Sequence, residues 1–325
     1  MSEIENRKIQ HINLAKDPQS QIGKEPFENV KLDYKALPEL DLSSVDTSTN
    51  LLTQKITQPL IIASMTGGTS HAGKINTNLA IGVEETGIAM GVGSQRIALE
   101  LEDARNSFKL VRKHAPNAVI FANMGAIQLN YGKSIDDYKA VVEMVEANAL
   151  YLHLNPLQEA IQPEGDTNFQ GLLDKIENLV KEIGVPVFVK EVGHGIDKES
   201  ISKLVEIGIF AIDVAGANGT SWAWIEAQRR NSPNLSEWFK SFGISTEESL
   251  AYACEYKDKI KIVASGGIRS PVHGLKARVL GADYYSAALP FLEPALDSPE
   301  TVINTIKEWE KGLKTAMFAT GRKSW

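Results

Sequence analysis

The sequence predicts an α/β protein, a (β/α)8 TIM barrel preceded by an N-terminal arm, on three observations. Eight short apolar runs recur from Pro59 onward, each run ends in glycine or small polar residues, and the stretches between runs carry helical periodicity. The runs are hydrophobic almost throughout instead of alternating, as parallel strands covered by helices require. A doubly wound open sheet is the alternative. It needs no count of eight, and it usually shows one glycine-rich nucleotide turn after its first strand.

Residues 1–58 are polar, with scattered prolines and a Ser/Asp/Thr stretch at Asp41–Asn50. They read as an irregular arm that packs on the barrel of residues 59–325; a free tail is the other reading. The strands are expected at Pro59–Ser64, Gly87–Gly93, Ala118–Asn123, Ala149–Leu154, Pro186–Val192, Ile209–Ala215, Lys261–Ser265 and Tyr284–Leu289. Each interval accommodates a strand, a helix and two short loops. Helical spacing is visible at Ser200–Ile207, where Ile201, Leu204, Val205 and Ile207 share a face, and also at Glu143–Ala147 and Leu172–Ile183. The interval between the sixth and seventh runs is about two units long and holds Trp222, Trp224, Trp238 and Phe239. It reads either as an insertion or lid, or as an ordinary apolar helix with a subunit contact.

Composition narrows the function. Hydrophobic residues are 43% and charged residues 23% of the 325, a globular balance. Aromatics are 7%, so a mostly aliphatic core packed with alanine and glycine is expected. The formal charge is −7 and no basic stripe stands out, which argues against bulk nucleic-acid binding. An anionic substrate would have to be caught by a few local cations and backbone amides. The single cysteine, Cys254, excludes an intrachain disulfide and a cysteine zinc cage. The charged N-terminus does not read as a signal peptide, and no apolar run reaches the roughly 18 residues of a membrane span. A soluble, cytoplasmic protein is expected.

Barrel chemistry sits at the C-terminal ends of the strands, and every expected strand ends in unusual residues. These are Ser64-Met65-Thr66-Gly67-Gly68, Ser94-Gln95-Arg96, Asn123-Met124-Gly125, His153 running on to Gln158-Glu159, Lys190-Glu191, Asp213 before Gly219-Thr220, Ser265-Gly266-Gly267-Ile268-Arg269, and Ser286-Ala287-Ala288. Two glycines between a strand and a helix let backbone N–H groups approach a phosphate, though a plain tight turn also uses them. Lys190 lies inside an apolar strand and needs an anionic or hydrogen-bonding partner. A flavin fits, and a Schiff-base lysine is the rival. Gln158 and Glu159 are adjacent in a loop and point in different directions. One can face a substrate while the other holds Mg2+, since one carboxylate plus phosphate oxygens suits that ion; a solvated acidic loop is the bland reading. Arg7 and Lys8 are adjacent cations in the arm, solvated if composition alone is the guide.

Taken together, RKIQHI at Arg7–Ile12, SMTGG at Ser64–Gly68, GSQR at Gly93–Arg96, HLNPLQEAIQPEGD at His153–Asp166, VKEVGHG at Val189–Gly195, GTSW at Gly219–Trp222 and ASGGIR at Ala264–Arg269 resemble the type 2, flavin-dependent isopentenyl-diphosphate isomerase family over nearly the whole chain. The resemblance implies a (β/α)8 barrel that binds FMN and Mg2+ and interconverts isopentenyl and dimethylallyl diphosphate for isoprenoid biosynthesis. The flavin must be reduced, by NADPH or NADH. Carried over by position, FMN contacts Ser64, Met65, Thr66, Ser94, Asn123, Lys190, Thr220, Gly266, Gly267, Ile268, Arg269, Ala287 and Ala288. Substrate contacts Arg7, Lys8, Ser94, Gln95, Arg96, His153 and Gln158. Glu159 holds Mg2+, and Gln158, Glu159 and His153 are the catalytic candidates. The chain departs from the family's pattern at Ala215, where a serine is frequent, and at Asn218, where glycine is frequent. The resemblance also implies a homotetramer or homo-octamer.

On this reading Arg7, Lys8, Arg96, His153 and Mg2+ clamp the diphosphate and lay its apolar tail over the flavin. No pair of carboxylates stands out in the sequence as acid and base for that tail, which favours the reduced flavin in that role. An FMN-dependent 2-hydroxyacid oxidase is a rival, but the turn AGANGTSW after the sixth strand lacks the histidine and arginine it needs. A silent phosphate- or flavin-binding protein would explain the glycines but not the set Lys190, Gln158 and Glu159.

Overall fold

The computed structural model describes residues 3–68 and 70–325. Ten strands are assigned among them: β1 (Thr49–Leu51), β2 (Gln54–Ile56), β3 (Leu60–Ile62), β4 (Ala89–Gly91), β5 (Ile120–Gly125), β6 (Ala149–His153), β7 (Val187–Lys190), β8 (Ala211–Asp213), β9 (Lys261–Ala264) and β10 (Tyr284–Ala287). Strands β3 to β10 pair in parallel and close into a barrel, with β10 beside β3. All eight expected runs are present; seven are trimmed, because the turn residues at their ends leave the ladder, and the third is shifted to Ile120–Gly125. The run ending at Leu289, for example, ends as a strand at Ala287, and Leu289 already begins a helix.

The helices are α1 (Glu3–Lys16), α2 (Ser70–Thr86), α3 (Glu102–His114), α4 (Ile135–Met144), α5 (Pro156–Ile161), α6 (Leu172–Glu182), α7 (Lys198–Glu206), α8 (Trp222–Arg229), α9 (Pro233–Phe239), α10 (Thr246–Cys254), α11 (Pro271–Leu280), α12 (Leu289–Asp297) and α13 (Pro299–Ala319). Side-chain caps start several of them. Ser134 and Asp137 form a reciprocal capping box on α4, and Asp197 caps α7 through the Ser200 N–H. The double-length interval resolves into three helices. Helix α10 packs on α7 and β9 and completes the sixth unit, whereas α8 and α9 form an insertion that packs on α5 and α1.

The arm departs from the irregular chain expected. Residues Glu3–Lys16 form a helix of four turns, and β1 and β2 form an antiparallel hairpin. The helix carries no proline or glycine, and its Ile12 is buried. Polar composition alone hid a helix whose stability comes from docking one face, a tertiary effect. The hairpin packs Leu51 and Ile56 in one cluster with Ile61, Val119, Phe121, Tyr151 and Phe188.

That cluster is the barrel interior, and it gathers the rings of Phe121, Tyr151, Phe188 and Tyr284 inside a core that is otherwise mostly aliphatic, as expected. Phe121 stacks on Tyr151 at 4.6 Å between ring centroids and meets Phe188 edge-on at 4.8 Å. The layer between barrel and helices is the aliphatic one. A low aromatic count says nothing about where the few rings go.

Strand side chains alternate between faces. Because Phe121, Tyr151, Phe188, Ala211, Val263 and Tyr284 share the interior cluster, the residues two further on in each strand or its end face the same interior. Those residues are Asn123, His153, Lys190, Asp213, Ser265 and Ser286. Register aligns His153 with Lys190 and Lys190 with Asp213. A polar layer therefore sits on top of an aromatic one.

Candidate active site

The C-terminal ends of the strands enclose a cavity of about 680 Å3. Of the residues expected to contact cofactor, substrate or metal, all but Gln95 line it.

The floor is charged and buried. Lys190 is 8% exposed, and its Nζ donates to the Glu191 carbonyl at 2.6 Å. Asp213 is fully buried. Burial pushes its carboxyl above the ordinary range, while Lys190 and a hydrogen bond from Ser265 pull it back. His153 Nδ1 lies 2.8 Å from Asn123 Oδ1. Burial, with the positive charges of Lys190 and Arg96, lowers its pKa to about 3. The imidazole is therefore neutral, and it supplies no charge to a diphosphate clamp. Any part His153 takes in the expected clamp is that of a neutral hydrogen-bonding group.

One wall is the glycine corner after β9. Gly266 and Gly267 have φ of +96° and +80°. A Cβ on either would run into the backbone of Gly216 or Asn218, and one on Gly219 would come within 2.6 Å of the Gly267 nitrogen. Bare backbone is obligatory here. Thr220 and Arg269 flank the corner, and both bond Gln21 of the arm: Gln21 Nε2 donates to Thr220 Oγ1 at 3.1 Å, and Arg269 donates to Gln21 Oε1. The Ala215 departure also lies in this wall. Its φ is +39°, and its N–H is held by Ser265 Oγ at 3.1 Å.

The opposite wall is acidic. Helix α5 begins at Pro156, so Gln158 and Glu159 sit in its first turns, not in a loop. Glu159 is 6% exposed. Its Oε1 accepts from Asn155 at 2.8 Å, and its Oε2 accepts from Gln162 at 2.6 Å and from the Asp166 N–H at 2.8 Å. Burial raises its carboxyl, partly offset by these bonds. Gln158 donates to Glu226 at 2.9 Å and accepts from Asn155 at 3.1 Å, which fixes its amide.

Helix α1 contributes to the mouth. Arg7 and His11, one turn apart, both line the cavity, as does Lys8. Arg7 pairs with Glu164 at 3.1 Å, Glu164 with Arg229 at 2.9 Å, and Arg229 with Glu226 at 2.5 Å. His11 Nε2 lies 3.0 Å from Glu226, and its ring meets Trp222 edge-on at 5.1 Å. A chain of polar contacts thus leaves the arm at Arg7 and returns at His11. Burial raises Glu226, but His11, Gln158 and Arg229 outweigh it, and its carboxyl lies below the ordinary range. Lys8 is pushed down to about 7 by burial and by neighbouring Arg7 and Arg96.

Gln95 is the correction among the contact residues. It is fully buried, donates to the Val141 carbonyl at 2.9 Å and accepts from the Asn123 N–H at 2.9 Å. Ser94 and Arg96 on either side line the cavity, whereas Gln95 between them turns into the barrel wall. Gln21, Asn155, Asp166, Glu226 and Arg229 are the residues that sequence reasoning missed as participants. Asp166 was legible only as the end of the segment His153–Asp166. Glu226 follows Trp222 by one helical turn, but placing it required knowing that α8 faces the mouth.

Residues 101–325 match the FMN-dependent dehydrogenase family. Isopentenyl-diphosphate delta-isomerases are similar along almost the entire chain. That of Ignicoccus hospitalis is 39% identical over 98% of this chain and 90% of its own, and that of Hydrogenovibrio crunogenus is 42% identical over 98% and 94%. The chain belongs to the isopentenyl-diphosphate delta-isomerase family, in its type 2, FMN-dependent form. The isomerase from a Nostoc species is 41% identical over 98% of this chain and 93% of its own. Solved structures share the fold of this isomerase at low identity. A flavocytochrome b2 variant covers 98% of this chain and 80% of its own with a TM-score of 0.70 at 18% identity, and a mandelate oxidase variant covers 97% and 88% with 0.65 at 15%. No helix among the described residues is long and apolar enough to cross a membrane.

Proposed function

We propose that the cavity interconverts isopentenyl and dimethylallyl diphosphate by a 1,3-allylic proton shift over a reduced FMN, with Mg2+ on the diphosphate. The observation that carries this reading is the presence in one cavity of a bare-backbone phosphate corner, a buried lysine and a separate group of cations, Arg7, Lys8 and Arg96. A flavin phosphate and a substrate diphosphate need two such places.

The residues present fit the flavin. Ser64 Oγ and Ser286 Oγ are buried without a hydrogen-bond partner, and buried polar groups require partners. Ser64, Met65, Thr66, Ser94, Asn123, Lys190, Thr220, Gly266, Gly267, Ile268, Arg269, Ala287 and Ala288 would hold it. When bound and reduced, FMN supplies a nitrogen able to give and take the allylic proton and a negative charge facing the developing cation. NADPH or NADH would serve as reductant.

The residues also fit Mg2+. Glu159 offers a carboxylate held from three sides, and Asn155 Oδ1 is buried and unpartnered beside it. These are hard oxygen donors, and Mg2+ typically takes few protein ligands plus phosphate oxygens and water. Arg7, Lys8 and Arg96 would neutralise the diphosphate. His153, neutral, would offer Nε2 as an acceptor. Gln158, its amide fixed by Asn155 and Glu226, would orient the substrate at the end opposite the flavin.

Gly267→Ala tests the phosphate corner. The wild-type protein is expected to retain one FMN per chain through gel filtration, and the variant to elute without flavin absorbance while still folded by circular dichroism. Retention of FMN by the variant at wild-type stoichiometry contradicts the assignment.

A further inference from the structure

Asp166 closes the acidic turn Pro163–Asp166 and makes two kinds of contact at once. Its side-chain Oδ2 accepts from Arg96 Nη1 at 3.0 Å and from Gln128 Nε2 at 2.9 Å. Its backbone N–H donates to Glu159 Oε2 at 2.8 Å. A single residue therefore joins the arginine that faces the diphosphate to the carboxylate that faces the metal. The turn has no slack in which to loosen this link, because a Cβ on Gly165 would collide with the Glu159 carbonyl.

We propose that Asp166 is a positioning residue that makes Mg2+ and diphosphate bind cooperatively, by holding Arg96 with its side chain and Glu159 with its backbone. This rests on the reading of Arg96 and Glu159 given above. An arriving diphosphate oxygen must take Arg96 Nη1 over from Asp166. The Asp166 side chain is only 20% exposed, so losing its cation leaves a half-hidden carboxylate uncompensated, which is costly. A divalent cation on Glu159, one hydrogen bond away from the Asp166 backbone, offsets that cost. Conversely, Arg96 held by Asp166 without a diphosphate screens the negative charge that would otherwise help attract the metal. Each ligand thus removes the penalty that the other meets, and by linkage the effect is reciprocal.

The test uses the FMN holoenzyme in its oxidised state, so that binding is read without turnover. Mg2+ and inorganic pyrophosphate are titrated calorimetrically, each with and without the other, with magnesium pyrophosphate formation in solution accounted for. The wild type is expected to bind pyrophosphate more tightly when Mg2+ is present. Asp166→Asn keeps the shape and the acceptor but loses the charge, and is expected to cut the coupling factor by about tenfold. It should keep its flavin and bind pyrophosphate without Mg2+ at least as tightly as the wild type. Asp166→Glu, which restores the charge, should recover part of the coupling. If Asp166→Asn lowers both affinities in parallel with the coupling factor intact, Asp166 is merely structural and the inference fails alone. If the wild type shows no coupling, or its coupling survives Glu159→Gln, the assignment of the metal to Glu159 fails and takes the inference with it.

Discussion

Asn123 Oδ1 holds His153 Nδ1 at 2.8 Å, and the other end of the same amide, Nδ2, donates to the Val92 carbonyl at 3.0 Å. The second bond fixes the first. With Nδ2 committed as donor, Oδ1 must accept, so the imidazole proton is on Nδ1 and Nε2 carries a lone pair. Burial and two neighbouring cations keep this ring neutral. Nitrogen NMR of labelled holoenzyme should show His153 as the Nδ1–H tautomer, unprotonated from pH 5 to pH 9. A protonation midpoint inside that window contradicts the arrangement.

Lys8 gives the opposite behaviour. Its pKa of about 7 in the free site must rise when a diphosphate arrives, because an opposite charge favours the ammonium. The bound state then holds more protons than the free state. Affinity is accordingly full below about pH 7 and falls as pH rises above it, by at most about tenfold per unit, the limit for one proton. Calorimetry of pyrophosphate binding at pH 8 in buffers of different ionisation enthalpy should show proton uptake approaching one per site, and Lys8→Met should abolish it. Unchanged uptake in the variant assigns the proton to another group.

Gln95 should behave as a wall residue. Gln95→Leu leaves the Val141 carbonyl and the Asn123 N–H without their buried partner, which costs about 1–3 kcal/mol for each group left unsatisfied. Urea denaturation should show the loss, while the Michaelis constant for isopentenyl diphosphate in the folded variant stays within about twofold of wild type, since no direct contact of the kind that costs more is removed. A large rise in the Michaelis constant with unchanged stability would restore Gln95 to the substrate site.

The barrel was legible because its signal is repeated. Eight apolar runs, each with a marked C-terminal end, survive errors at any one of them, and the end residues Ser94, Asn123, Lys190 and Gly266 follow from the fold rule alone. The arm helix carried no comparable signal, since its burial depends on a surface elsewhere in the chain. The direction of Gln95 was no more legible. Ser64-Met65-Thr66 all line the cavity, but the Gln95 amide finds its partners at Val141 and Asn123, which nothing in the run Ser94-Gln95-Arg96 announces. Glu226, Arg229 and Gln21 were unreadable as supports of the site because each bonds to it, through Gln158, Glu164 or Thr220, from a segment whose packing no local pattern reveals.

The insertion carries a surface feature of its own. Trp238, in the last turn of α9, is 64% exposed, and Phe242, just past its end, is 59% exposed and packs edge-on against Phe239. Large exposed apolar groups of this kind mark contact surfaces, and we propose that they contribute to a homotetramer or homo-octamer. Light scattering at micromolar concentration should report an oligomer for the wild type and a smaller species for a variant with Trp238→Glu and Phe242→Glu. A monomeric wild type contradicts the proposal.

The central claim is that this cavity performs its isomerisation only over a reduced flavin. Anaerobic conversion of isopentenyl diphosphate, with Mg2+ and stoichiometric FMN, should be measured in one preparation before and after reduction by dithionite. The account predicts no product with oxidised flavin and sustained formation of dimethylallyl diphosphate after reduction, without net consumption of reductant. Equal rates in the two states, or full activity in flavin-free protein, would contradict it.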